Sequence, residues 1–192
     1  RDDVAPEIKQ YYETECPHCD DHADVMYYFW AKLLPCRNCG EDVALFKDYR
    51  LSKARSSKDD YHNVVCPDCW HVFETDDYRT DTVCPECEYE YVPKDAGNVS
   101  GKTYTCPHCD AHPEMNIIES VDRYGKANEE LYAVEYYCAE TDEKGYKSAA
   151  EYDHELYKQA SEKLEQNYDE LPIPTQKRYK GASDRAHNHG YE

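Results

Sequence analysis

The residues of this chain with the most legible chemistry are its cysteines. Eleven are present, and ten of them form Cys-x-x-Cys pairs: Cys16/Cys19, Cys36/Cys39, Cys66/Cys69, Cys84/Cys87 and Cys106/Cys109, with Cys138 alone. Two residues between thiolates let both reach one ion, and two such knuckles complete a tetrahedral Zn(Cys)₄ site. Pro17, Pro67, Pro85 and Pro107 follow the first Cys of four pairs and stiffen the turn. A disulfide framework predicts scattered cysteines in a secreted chain, and an odd count leaves one thiol over. Thioredoxin-type redox chemistry needs one pair at a strand-to-helix turn, not five in a row. The repeated spacing favours zinc over both, and over iron.

Pairing follows from loop lengths. Between Cys69 and Cys84 lie 14 residues, and both knuckles continue alike, as Cys66-Pro-Asp-Cys-Trp-His-Val-Phe and Cys84-Pro-Glu-Cys-Glu-Tyr-Glu-Tyr. That internal repeat marks the halves of one zinc ribbon. Left-to-right pairing then joins Cys16/Cys19 to Cys36/Cys39 and Cys106/Cys109 to Cys138, rather than stranding the first knuckle with Cys138. A knuckle at Cys138 would carry Thr141 in place of its second thiolate, so His108, His112, Asp142, His154 or water is expected to complete that site, or it binds zinc weakly. A knuckle also favours a positive φ after its second Cys. Gly40 provides it easily and Asp20 and Asp110 tolerate it, whereas Trp70 and Glu88 fit it poorly and are expected to turn differently.

The elements that must hold these knuckles are short. Val25 to Leu34 is a continuous apolar run and reads as a strand buried on both faces. Further strands are expected at Val43–Phe46, Val64–Val65, Val72–Phe73, Val83, Tyr89–Val92, Tyr104–Thr105, Asn116–Val121 and Leu131–Tyr137. Asp95 to Lys102 reads as a linker. Ser148-Ala-Ala-Glu151 is a capping box, followed by Tyr152, Leu156, Ala160, Leu164 and Tyr168 at helical spacing. The expected fold is small α+β, with tandem zinc ribbons of short antiparallel strands and a C-terminal amphipathic helix. Its segments are a helical lead-in at 1–15, ribbons at 16–60, 61–95 and 96–147 (the last degenerate), a helix at 148–171 and a tail at 172–192. A chain that starts without Met and stops in a tail of this kind reads as a piece of something longer.

With 192 residues, 40% hydrophobic, and 22 Lys+Arg against 41 Asp+Glu, the chain lacks material for one large core. Its 20 Tyr carry most of the aromatic surface. No run approaches the roughly 18 apolar residues of a membrane span, and a cytoplasmic location is expected. A formal charge of −19 is the wrong sign for a protein that coats nucleic acid. The one positive cluster, Arg50, Lys53, Arg55 and Lys58, is the candidate DNA contact, set against a solvated loop; Lys177, Arg178 and Lys180 form a lesser one. His187-Asn-His189 sits in the tail and lacks the spread of an HNH nuclease. No Gly-rich cofactor loop, Asp/Asn/Ser-Pro-Pro-aromatic motif, Ser/His/Asp set or Walker-type motif is present, and no active site is found.

The strings between the cysteines are more specific than the cysteines. Asp24-Val-Met-Tyr-Tyr-Phe-Trp-Ala-Lys-Leu-Leu-Pro-Cys-Arg-Asn-Cys-Gly and Leu45-Phe-Lys-Asp-Tyr-Arg-Leu-Ser-Lys resemble the insert of adenine-specific DNA methylases that contain a zinc ribbon. Ala96-Gly-Asn-Val-Ser-Gly-Lys, Leu131-Tyr-Ala-Val-Glu-Tyr-Tyr-Cys and His187-Asn-His-Gly-Tyr continue the resemblance over nearly the whole chain, in a haloarchaeal form that suits the acidic, halophile-like composition. The resemblance implies a zinc-binding insertion region of an S-adenosylmethionine-dependent N6-adenine methyltransferase of the restriction or phage-defence type, acting on DNA and with other defence-system subunits as possible partners. It carries over no catalytic residue, because the cofactor and Asp-Pro-Pro-Tyr-type motifs of that family lie outside this region. Relatives often have a second Cys where this chain has Thr141. The competing expectations are a stand-alone module of zinc ribbons that binds nucleic acid or protein, and a rubredoxin-like electron carrier, which iron would colour red.

Overall fold

In a computed structural model, the described residues are 8–19, 21–53, 61–109, 113–125 and 127–168. They form thirteen strands and two helices of eight residues or more, with every strand pair antiparallel. The chain divides into two units between Lys158 and Gln159. The second contributes only the later turns of the last helix and Tyr168 to the described residues.

The main sheet is built on one long ladder. β1 (Glu13–Glu15) pairs with β2 (His22–Pro35), and the far end of β2 pairs with β3 (Asp42–Ala44). Glu13–Glu15 is therefore strand and not the end of a lead-in helix. Along its length β2 pairs with a strand from the other end of the sequence, β12 (Asn128–Cys138), which pairs in turn with β13 (Glu143–Ser148). At about 3.3 Å per residue, the 14 residues of β2 run for roughly 45 Å. The strand is not buried on both faces: Ala23, Val25, Ala31 and Leu34 are buried while Met26 and Tyr27 are exposed. Register shifts between Leu131 and Ala133, and between Glu135 and Tyr136, change which face each half of the ladder buries. An apolar run on a strand interrupted in this way looks continuous in sequence while serving two different cores.

Smaller sheets sit on this ladder. β4 (Arg50–Lys53), β5 (His62–Val65) and β6 (Val72–Thr75) form one; β7 (Thr82–Val83) and β8 (Glu90–Tyr91) form a hairpin. β9 (Val99–Ser100), β10 (Thr103–Thr105) and β11 (Glu114–Asn116) form a third. The expected strand at Asn116–Val121 is instead helix α1, Ile117–Tyr124. The Asn116 side chain accepts from the N–H groups of Ile118 and Glu119, and Gly125 closes the helix at φ 85°. These two ends outweigh the strand preference of Ile117 and Ile118.

The expected linker is a clamp. Asn98 donates from Nδ2 to the Ala44 carbonyl at 2.8 Å, and its Oδ1 accepts from Phe46 N at 2.9 Å. A Cβ at Gly97 would lie 2.1 Å from the Lys47 carbonyl oxygen, so only glycine permits this approach. Helix α2, Glu151–Asn167, starts later than the capping box suggests. Ser148 Oγ accepts instead from Val72 N, and Ala150 N donates to Asp153 Oδ2 at 2.8 Å. The backward half of a capping box thus forms without its forward half. Trp30 of β2 meets Tyr157 of α2 with ring centroids 4.6 Å apart.

Among the described residues the larger unit has three buried apolar clusters. Phe46, Tyr49, Val65, Val72, Tyr91, Ala31 and Ala133 make the largest, with Trp70 and Tyr132 edge-on to Phe46. Leu34, Val43, Tyr104 and Met115 form the second with Cys36, Cys106 and Cys109. Ala23 and Tyr136 form the third with Cys138. The second and third are built directly around cysteines, at opposite ends of β2.

Candidate metal centres

All eleven cysteines gather into three clusters, and all are free thiols. The central cluster is Cys66, Cys69, Cys84 and Cys87, the pairing that the internal repeat predicts. The second joins Cys36 and Cys39 to Cys106 and Cys109, and the third joins Cys16 and Cys19 to Cys138. The left-to-right pairing is therefore overturned for both outer sites. The physical reason is the β2–β12 ladder. It brings Cys138, at the end of β12, beside the knuckle that precedes β2, while Cys36 follows β2 directly and faces the knuckle after β10.

Sulfur spacing in the clusters suits a single ion. Cys66 and Cys87 are 3.5 Å apart, Cys69 and Cys84 3.6 Å, Cys36 and Cys109 3.6 Å, and Cys39 and Cys106 3.8 Å. Ligands 2.3 Å from a tetrahedral zinc stand about 3.8 Å from one another, whereas a disulfide needs about 2.05 Å. Cys19 and Cys138 are likewise 3.8 Å apart.

Each knuckle is shaped by its own backbone. The first Cys pairs with the residue five positions on: Cys16 N donates to the Asp21 carbonyl, Cys36 N to Glu41, Cys66 N to His71 and Cys84 N to Tyr89. The following turn points N–H groups at the first sulfur; Asn38 N and His18 N lie 3.4 Å from Cys36 Sγ and Cys16 Sγ. The residue after the second Cys takes a positive φ, 81° at Gly40 and 62° at both Trp70 and Glu88. The expectation that Trp70 and Glu88 turn differently is thus corrected. Trp70 N and Glu88 N donate to the Cys66 and Cys84 carbonyls at 3.0 Å, and Trp70 packs on Phe46 and Tyr132, which offsets the cost of the left-handed backbone.

The thiols themselves register the crowding. Burial raises the Cys36 thiol, but N–H donors from Cys39 and Asn38 and the Cys106 and Cys109 thiols outweigh it and hold Cys36 down at about 7. Cys84 is lowered in the same manner. Burial, reinforced by neighbouring sulfurs, pushes Cys69 and Cys106 up to about 12. A dication held between the sulfurs would stabilise all of their thiolates at once.

Other expected site residues fall elsewhere. His108, Asp142 and His154 belong to none of the three clusters, and His112 lies outside the described residues. Arg50 lies on β4 with its guanidinium 4.4 Å above the Tyr78 ring, and Lys53 ends that strand. Arg55, Lys58 and the tail with Lys177, Arg178, Lys180, His187 and His189 are outside the described residues. Among the described residues no helix is long and apolar enough to cross a membrane. The pairing of Cys138 with the first knuckle, which loop lengths argue against in the sequence, is the one the structure forms. Comparison with protein-family models, with curated proteins and with solved structures finds no match to this chain.

Proposed function

We propose that the chain is a zinc-binding module in which metal centres replace much of a conventional core. The observation that carries this reading is the sulfur geometry: two sets of four cysteines and one of three, each set with its ligand atoms within 4.8 Å of one another. Cys66, Cys69, Cys84 and Cys87 would hold one zinc, and Cys36, Cys39, Cys106 and Cys109 another. Zinc there would supply folding free energy, on the order of 10–16 kcal/mol for small metallo-domains. Elemental analysis of the folded protein should give at least two zinc per chain. Cys66→Ser should remove one equivalent and unfold the central ribbon. A folded sample with one equivalent or none overturns the reading.

The finer form of the proposal places this module in a DNA adenine methyltransferase of the restriction or defence type, with S-adenosylmethionine and catalysis supplied by the rest of that enzyme and DNA or a partner subunit recognised in part here. The strings at 24–40, 45–53, 96–102 and 131–138 support it. The longer reading frame should encode an S-adenosylmethionine motif and an Asp-Pro-Pro-Tyr-type motif; their absence would leave a stand-alone binding module. Arg50→Glu with Lys53→Glu should weaken duplex-DNA binding and flatten its salt dependence, since phosphate contacts release counterions. Unchanged binding would remove that surface from the proposal.

A further inference from the structure

The third cluster differs from the others in having only three sulfurs, and its surroundings show what stands in the fourth place. Cys138 pairs with Glu143, five residues on, as every first cysteine of the knuckles above does. Asp142, at the place that follows the second cysteine of a knuckle, takes φ 58°, matching Trp70 and Glu88. Cys138-Ala-Glu-Thr141 is therefore a complete knuckle in backbone terms, with Thr141 seated where a second thiolate belongs.

No other described group fills the place. Among the described residues, no His, Asp, Glu or further Cys joins this cluster. His18, on the facing knuckle, has Nε2 2.8 Å from the Tyr136 hydroxyl. Asp142 Oδ1 accepts from the Tyr137 hydroxyl at 2.7 Å. Ala139, Glu140, Thr141 and Asp142 are all exposed, while Cys138 itself is 1% exposed. Zinc sites with four protein ligands are closed and structural; those with three keep a position for an outside ligand.

We propose that Cys16, Cys19 and Cys138 form a three-thiolate zinc centre whose fourth position, beside Thr141, is open and takes an exchangeable small donor: water at rest, and a free thiol when one is supplied. The inference rests on reading the clusters as zinc centres, but it concerns this site alone. It assigns one module two kinds of centre, two closed and one able to bind.

Cobalt(II) replaces zinc and reports its ligands by colour. The full chain, prepared with a phosphine reductant and no thiol, is loaded with cobalt and titrated with 2-mercaptoethanol. The wild type should take three equivalents, and its thiolate-to-cobalt absorption should rise as the outside thiol joins the third centre. Thr141→Cys should start at the higher absorption and give no response, and Thr141→Val should respond as the wild type does. With a competing chelator, one of three equivalents should leave first in the wild type, and all three should leave together in Thr141→Cys. Three equivalents with no thiol response and joint release would overturn the open position, because the protein would then supply the fourth ligand. Two equivalents, lost on Cys36→Ser or Cys66→Ser but unaffected by Cys138→Ser, would overturn the third centre and leave the four-sulfur sites standing. Fewer than two would instead be the failure of the zinc reading as a whole.

Discussion

At the scale of single residues, the positions that matter most besides the cysteines are those where the backbone leaves no choice. Gly97 has the Lys47 carbonyl where a Cβ would go, so Gly97→Ala must push apart the segments that Asn98 ties together. The expected cost is about 1–3 kcal/mol, seen as a lower urea midpoint with metal still bound. Glu88 presents the opposite case. Its φ of 62° strains a side chain that is exposed, so Glu88→Gly should stabilise the segment around the central cluster by about 1 kcal/mol. An unchanged or lower midpoint would show that the turn is not strained. The ligands were legible in the sequence because Cys-x-x-Cys spacing is local chemistry. Gly97 was not, since nothing within Asp95–Lys102 reveals that Lys47 lies against it.

At the scale of elements, the pairing of knuckles turned on an energy that sequence distance measures poorly. Joining Cys39 to Cys106 spans 67 positions, against 17 from Cys19 to Cys36 in the shorter alternative. Loop-closure cost grows only by about 0.6 kcal/mol per doubling, so the longer closure costs little over 1 kcal/mol more. The β2–β12 ladder, with nine paired positions, easily outweighs that. Short strands beside knuckles were readable for a related reason, namely that each knuckle pairs with residues five positions on. Helix α1 was missed because Ile117 and Ile118 favour strand, while its signals sit at the ends, in Asn116 and Gly125. Asn116→Ala should therefore cost about 0.5–2 kcal/mol and reduce helical circular dichroism. No loss would mean that packing of α1 against β2 holds it without the cap.

At the scale of the whole molecule, two solution properties follow. Burial pushes the Tyr49 and Tyr132 hydroxyls up to about 12 from the ordinary 10. Their unfolded-state values are lower than their folded ones, so their contribution to stability is complete below pH 10 and is lost as pH rises towards 12. Ultraviolet titration should show a late tyrosinate class whose appearance coincides with loss of near-ultraviolet circular dichroism. A single early class would contradict the burial. The second property is salt: a charge of −19 repels itself, and at 1 M the Debye length falls to about 3 Å. The melting temperature should rise from dilute buffer to molar KCl. A flat curve would mean that the acidic residues are too dispersed to strain the fold, and would remove the argument from composition to a halophilic source.

The three clusters are nested in the sequence like brackets: 66–87 lies inside 36–109, which lies inside 16–138. Translation delivers the chain from its N-terminus, so the innermost centre has all its ligands first and the outermost last. Cys16 and Cys19 must then wait as bare thiols through the synthesis of more than a hundred residues before Cys138 arrives. Cys36 and Cys39 wait for a shorter interval. On the proposed zinc reading the three clusters fill from the inside out, and Cys16 and Cys19 are, among their cysteines, the longest exposed to oxidation or to capture of the wrong metal.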